Sequence, residues 1–121
     1  MATAPVNRSL GGDGPVGVCV LDLPPDRPLQ TCVPRGCHLV LIGVAGATRL
    51  DTDVVLQAGR LVLWPRGAPI TVQALGDAAR VGVVAVPAGA EQVLAALSRG
   101  DLTAATMVAL AADSGVELVL A

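Results

Sequence analysis

Gly59-Arg60-Leu61-Val62-Leu63-Trp64-Pro65-Arg66-Gly67-Ala68-Pro69-Ile70 is the stretch on which the reading of this chain turns. A glycine, free to take a positive φ, opens it. The apolar run Leu61 to Trp64 is too short for a helix, and Pro65-Arg66-Gly67 has the composition of a tight turn. The stretch therefore predicts strand, corner, strand, with the side chain of Ile70 turned inward after the corner.

The same grammar repeats on both sides. Val16 to Leu23 is rich in β-branched residues and bounded by Pro15 and Pro24, so it predicts a strand. Leu29 to Val33 predicts a short extended piece, and Cys37 to Val44 a long one. Thr48 to Leu50 and Val54 to Leu56 form two arms around the turn Asp51-Thr52-Asp53. After the corner, Pro69 to Leu75 and Ala79 to Val86 continue the series. Short strands at this even spacing predict a barrel or a double-sheet sandwich. Helical composition appears only later, over Glu91 to Leu97 and Asp101 to Ala112, with Asp101 as N-cap, Gly115 as stop and Val116 to Leu120 as a closing extended segment. The division predicted is a loose, polar tail over 1–14, a barrel over 15–88, and helices with a terminal segment packing on the barrel over 89–121.

A chain of 121 residues supports one core, yet 53% of it is hydrophobic and only 15% charged. That excess of apolar side chain implies a covered outer surface or an enclosed pocket. Every apolar run is broken short of the roughly 20 residues a membrane helix needs, and the start lacks the apolar core of a secretory signal. A cytoplasmic protein without membrane contact is expected. Net charge is -2 and the eight basic residues, all Arg, are scattered singly, while Trp64 is the one aromatic. Neither a phosphate-neutralising stripe nor a stacking platform is present, so nucleic acid is not an expected partner. The three cysteines are an odd number, which argues for free thiols.

The opening stretch also resembles a family motif. Gly59, five residues, Pro65, one residue, Gly67 and two residues match the second motif of the cupins position for position, and Ile70 stands where that motif has histidine. The resemblance covers about residues 15 to 87. It implies a mainly β, cupin-like double-stranded β-helix, or jelly-roll, barrel with short C-terminal helices. If Gly46 closes the first motif, counting back places Leu39 at its glutamate and Cys32 and Pro34 at its histidines. The resemblance is thus to a small single-domain cupin lacking the usual metal ligands. It implies no cofactor, no metal, and none of the metal-dependent oxygenase or isomerase chemistry of the family.

Other chemistries are as thinly supplied. Cys32, Cys37 and His38 offer three ligands at a spacing unlike a zinc knuckle, and strand alternation turns His38 outward when Leu39 points inward. The cysteines read as small buried apolar residues. Asp51 and Asp53 read as turn residues. Taking Leu39 and Ile70 as inward, Cys32, Leu39, Leu41, Ile70, Val72 and Trp64 line the barrel interior, with Gly43 and Ala74 leaving room and Arg66 at the corner as polar anchor. The indole N–H of Trp64 then needs a partner. The opposite face of the long strand carries Val40, Ile42 and Val44, which a monomer would expose, so a homodimer through these residues is expected.

Three functions fit this reading. The first is a metal-free cupin-like protein whose apolar interior binds a small hydrophobic molecule. The second is a cofactor-independent cyclase or isomerase of a natural-product pathway, working by holding a flexible substrate in a reactive shape. The third is a structural or regulatory homodimer whose barrel is filled by its own side chains. Fold alone does not choose among them.

Overall fold

The computed structural model describes residues 16–25, 27–100 and 102–119. Among the described residues, nine strands and two helices follow one another: β1 (Gly17–Leu23), β2 (Cys32–Pro34), β3 (His38–Ala45), β4 (Ala47–Asp51), β5 (Val54–Gln57), β6 (Leu61–Trp64), β7 (Gln73–Ala74), β8 (Ala79–Val86), α1 (Ala90–Arg99), α2 (Ala104–Asp113) and β9 (Val116–Leu118). Among the described residues the strands form a four-stranded sheet in the order β1-β8-β3-β6, a three-stranded sheet β5-β4-β7, and the pair β2-β9. All these pairings are antiparallel.

Alternation of side chains decides what each strand buries. Along β8 the pattern alternates, with Ala79, Val81, Val83 and Ala85 buried and the residues between them partly or fully exposed. Its neighbours keep step: Cys19 lies opposite Val83, and Val83 opposite Leu41. These inward rows meet Leu50, Leu56, Ile70 and Val72 in one hydrophobic core. Two facing sheets with a shared dry interior are what a jelly roll requires.

Gly43 is a point of close approach. A Cβ there would lie 2.1 Å from the carbonyl oxygen of Gln57, because the amide of Gly59 donates to Gly43 (2.9 Å) and that of Gly43 to Arg60 (2.8 Å). The room expected at Gly43 is therefore filled by backbone. The lack of a side chain lets the β5–β6 turn sit against β3.

Two further expectations are corrected. Pro69 to Leu75 is not one continuous strand: only Gln73–Ala74 pairs as such, with an isolated bridge between Ile70 and Cys32. Its amides go to distant partners, Ile70 to Cys32 O (2.9 Å), Thr71 to Leu50 O (3.1 Å) and Leu75 to Ala47 O (2.9 Å), so no single ladder takes them. The second helix begins after Thr103, whose Oγ1 accepts from the Thr106 amide at 3.2 Å, and not at Asp101. Thr103 competes successfully because its hydroxyl reaches the third residue on. Asp101, Leu120 and the tail over 1–14 lie outside the described residues.

Helix α1 presents Ala90, Val93, Leu94 and Ala96 to the core. It sits against the inward side of β1, where a Cβ on Gly17 would strike the Glu91 carboxylate at 2.3 Å. Helix α2 packs on α1 and on β9, and β9 in turn pairs with β2. None of the helices among the described residues is long and apolar enough to cross a membrane.

Candidate functional site

The motif stretch folds as its residues dictate. Gly59 and Gly67 have φ of 84° and 83°, the left-handed region that glycine enters without strain. The amide of Ala68 donates to Pro65 O (3.2 Å) and that of Gly67 to Pro34 O (3.1 Å), so the corner is closed on itself and tied to β2. The Trp64 indole donates to Ala68 O at 3.0 Å, supplying the partner that the buried ring requires. Beyond the corner, Ile70 exchanges both backbone hydrogen bonds with Cys32 (2.9 and 3.0 Å).

This geometry sets Leu39 opposite Trp64 and Leu41 opposite Val62 on one sheet, with Cys32 and Ile70 as a bridged pair outside it. Exposure is 1% at Cys32, Leu39 and Ile70, 0% at Leu41 and Val72, and 6% at Trp64. Side chains lining a cavity of useful size would show surface to a water-sized sphere. These show almost none. Among the described residues, surface clefts occur elsewhere, one of about 400 Å³ between β5 and β6 and two beside α2 and β9.

Arg66 is exposed at the corner. Its backbone amide donates to His38 Nδ1 at 3.1 Å. His38 is itself exposed and points away from the core, on the opposite side from Leu39. Asp51, the last residue of β4, and Asp53, in the turn after it, are exposed, and Asp51 Oδ1 accepts from the Thr52 amide at 2.7 Å.

The metal of the cupin family can be tested against these donors. The four positions that the motif resemblance assigns to its ligands hold one thiol, a proline and two aliphatic side chains. Burial, with the neighbouring Cys37 second, pushes the Cys32 thiol up to about 12, so it is neutral across the physiological range. Cys19 is pushed up to about 12 by burial and then by the Glu91 carboxylate, against a lowering by Arg99. Cys37 is also raised, chiefly by burial. No group of three or more His, Cys, Asp or Glu side chains converges among the described residues. The residues present do not fit the family's metal.

One polar residue was missed from sequence. Glu91 is fully buried, and its Oε1 accepts from the Gly89 amide at 2.6 Å at the start of α1. The Cys19 thiol donates to its backbone carbonyl at 3.4 Å. Its signal was an acidic residue in a first helical turn, where the helix dipole favours it. The arrangement joins α1 to β1.

No protein-family model and no curated protein matches the chain. Solved structures do. An RmlC-like cupin protein from Ralstonia eutropha JMP134 superposes with a TM-score of 0.54 at 18% identity, covering 60% of this chain and 48% of that one. A conserved protein with a double-stranded β-helix domain from Klebsiella pneumoniae MGH 78578 gives 0.54 at 16%, covering 61% and 65%. The DMSP lyase DddQ from Ruegeria pomeroyi DSS-3 gives 0.52 at 14%, covering 60% and 38%. The chain spans less than two thirds of the length of each of these three. With its facing antiparallel sheets and its corner at Pro65 to Gly67, the chain has the cupin fold, a double-stranded β-helix.

Proposed function

We propose that this chain is a filled cupin-fold barrel, a structural or regulatory homodimer that works through its outer surface. The observation that carries this reading is the near-zero exposure of Leu39, Leu41, Ile70 and Val72, the side chains that an interior ligand would have to touch. An apolar-ligand site or a cyclase cavity needs on the order of 300 Å³ of enclosed space. Close packing of these residues, which their burial supports, would leave no such volume among them. The donor set at Cys32, Pro34, Leu39 and Ile70 likewise favours a role without metal chemistry.

Calorimetric titration of the purified protein with benzene and with a medium-chain fatty acid tests the reading. No saturable binding is expected from wild type, while Leu41→Ala, which opens a cavity, should take up benzene. One-to-one binding by wild type that Leu41→Trp abolishes would overturn it. So would stoichiometric iron, manganese or zinc on elemental analysis.

A further inference from the structure

Two sheet edges end together on one side of the barrel. β6 is the last strand of the four-stranded sheet and β5 the last of the three-stranded one, and the cleft of about 400 Å³ lies between them. Antiparallel alternation sets which groups of β6 face outward along the sheet. The Gly43 amide donates to Arg60 O at 2.8 Å. With Val62 opposite Leu41 and Trp64 opposite Leu39, residues 60, 62 and 64 are therefore the ones that bond to β3. Leu61 and Leu63 turn their N–H and C=O groups the other way, and among the described residues no strand pairs with that edge.

The cleft beside this edge has a defined chemistry. Val54, Val55 and Val62 give it apolar walls, and Arg60, exposed and of the same strand parity as Val62, adds a guanidinium. No Asp or Glu lines it, and among the described residues Arg60 has no ion-pair partner. An open ladder, an apolar hollow and an unpaired cation thus lie side by side.

We propose that the β6 edge and this cleft take an extended segment of another protein, which adds a strand beside β6 and carries an acidic residue two positions from an apolar one. Leu61 and Leu63 supply the backbone groups that such a strand would pair with. Alternate side chains of the added strand then face the cleft, the acidic one at Arg60 and the apolar one at Val62. A second copy's β6 does not meet this demand, because the stretch Arg60 to Arg66 brings two guanidiniums and no carboxylate. The proposal goes beyond the filled-barrel reading and does not depend on it, since the cleft lies outside the barrel interior.

Fluorescence anisotropy of the full chain with dye-labelled nine-residue peptides tests the proposal. The peptides alternate valine and threonine, with one valine replaced by glutamate or by lysine. Wild type should bind the glutamate peptide saturably and at least about 5-fold more tightly than the lysine peptide, and Arg60→Glu should reverse that preference. N-methylation of alternate peptide amides should abolish binding in one parity and change it by less than about 3-fold in the other, because one set alone meets β6. Leu63→Pro should abolish binding too, and circular dichroism should show it folded, since its N–H lies outside the β3 ladder. Should that variant misfold, the methylated peptides carry the test on wild type. No binding by wild type up to about 1 mM peptide, equal affinity for the two peptides, or indifference to both methylation patterns overturns the proposal. So does a wild-type dimer, without peptide binding, that Leu63→Pro dissociates in light scattering, which would place a second copy on this edge. Failure here leaves the interior titrations unchanged, so the two readings fall separately.

Discussion

The two faces of the four-stranded sheet are built from the same strands in the same register, yet the fold treats them oppositely. Inward, Leu39, Leu41, Val81 and Val83 are at most 1% exposed. Outward, Val40 and Ile42 are half-buried, while Leu61 and Leu63 stand mostly in solvent. Hydrophobicity alone does not separate them, since both sides are Val, Leu and Ile. What separates them is the second sheet, which closes over one face only. Part of the apolar composition above the need of one small core thus stands on one side of one sheet, while Val55, Val108 and Val119 are exposed elsewhere.

The largest expected effect sharpens that contrast. Leu41→Ala should cost about 2–5 kcal/mol of unfolding free energy, because a fully buried side chain leaves a cavity behind. Leu63→Ala, measured in a dissociated background, should change stability by less than about 0.5 kcal/mol, as surface substitutions do. Urea denaturation of the two variants compares the faces directly, and equal losses would break the distinction.

Glycines on the two faces give the next test. Gly43→Ala forces a Cβ to 2.1 Å from Gln57 O, and overpacking of this kind costs typically 1–3 kcal/mol or more. Gly82, on the outer face, has only ordinary contact with Ile42 at 3.7 Å. There alanine should be neutral or should stabilise by about 0.5 kcal/mol through reduced freedom of the unfolded chain. Thermal melts of the two variants should move in different directions.

Alkaline pH acts on the buried thiols. The folded thiols of Cys19 and Cys32 are raised to about 12, whereas unfolded thiols ionise near 8.5. The folded state therefore holds more protons between these values. Stability is fully present below about pH 8.5 and falls as pH rises toward 12, at up to about 1.4 kcal/mol per unit for each thiol. Cys32→Ala should flatten the slope between pH 9 and 11 in denaturant midpoints; an unchanged slope would show that this thiol does not carry it.

The smallest effect is expected at the surface ion pair of Arg35 with Glu117, which joins β2 to β9 at 2.6 Å. Its side chains are 63% and 55% exposed, so Arg35→Ala should cost less than about 1 kcal/mol. A larger loss in the melting curve would mean that β9 is held by this pair more than by its backbone ladder.

Much of the fold was legible because its signals are local. Leu61 to Trp64 and Ala79 to Val86 form strands with the boundaries read from sequence, since glycine and proline punctuate them. Positive φ at Gly59 and Gly67 follows from the two turns they occupy, the first between β5 and β6 and the second after Pro65. Pro69 to Leu75 was less legible, because its amides are divided among strands distant in sequence. Asp101 looked like a cap by type, but Thr103 holds that position through its contact with Thr106.

The sequence by itself determined the motif corner, the β-rich order of elements, and the absence of imidazole or carboxylate at the four motif positions, because residue type and spacing along the chain suffice for these. Only the tertiary structure decided that Gly43 admits backbone where open space was expected, that Glu91 is buried against β1, and that Leu61 and Leu63 extend the apolar rows of Val40 and Ile42. Each of those depends on which distant strand lies alongside, and that is set by the pairing of whole sheets.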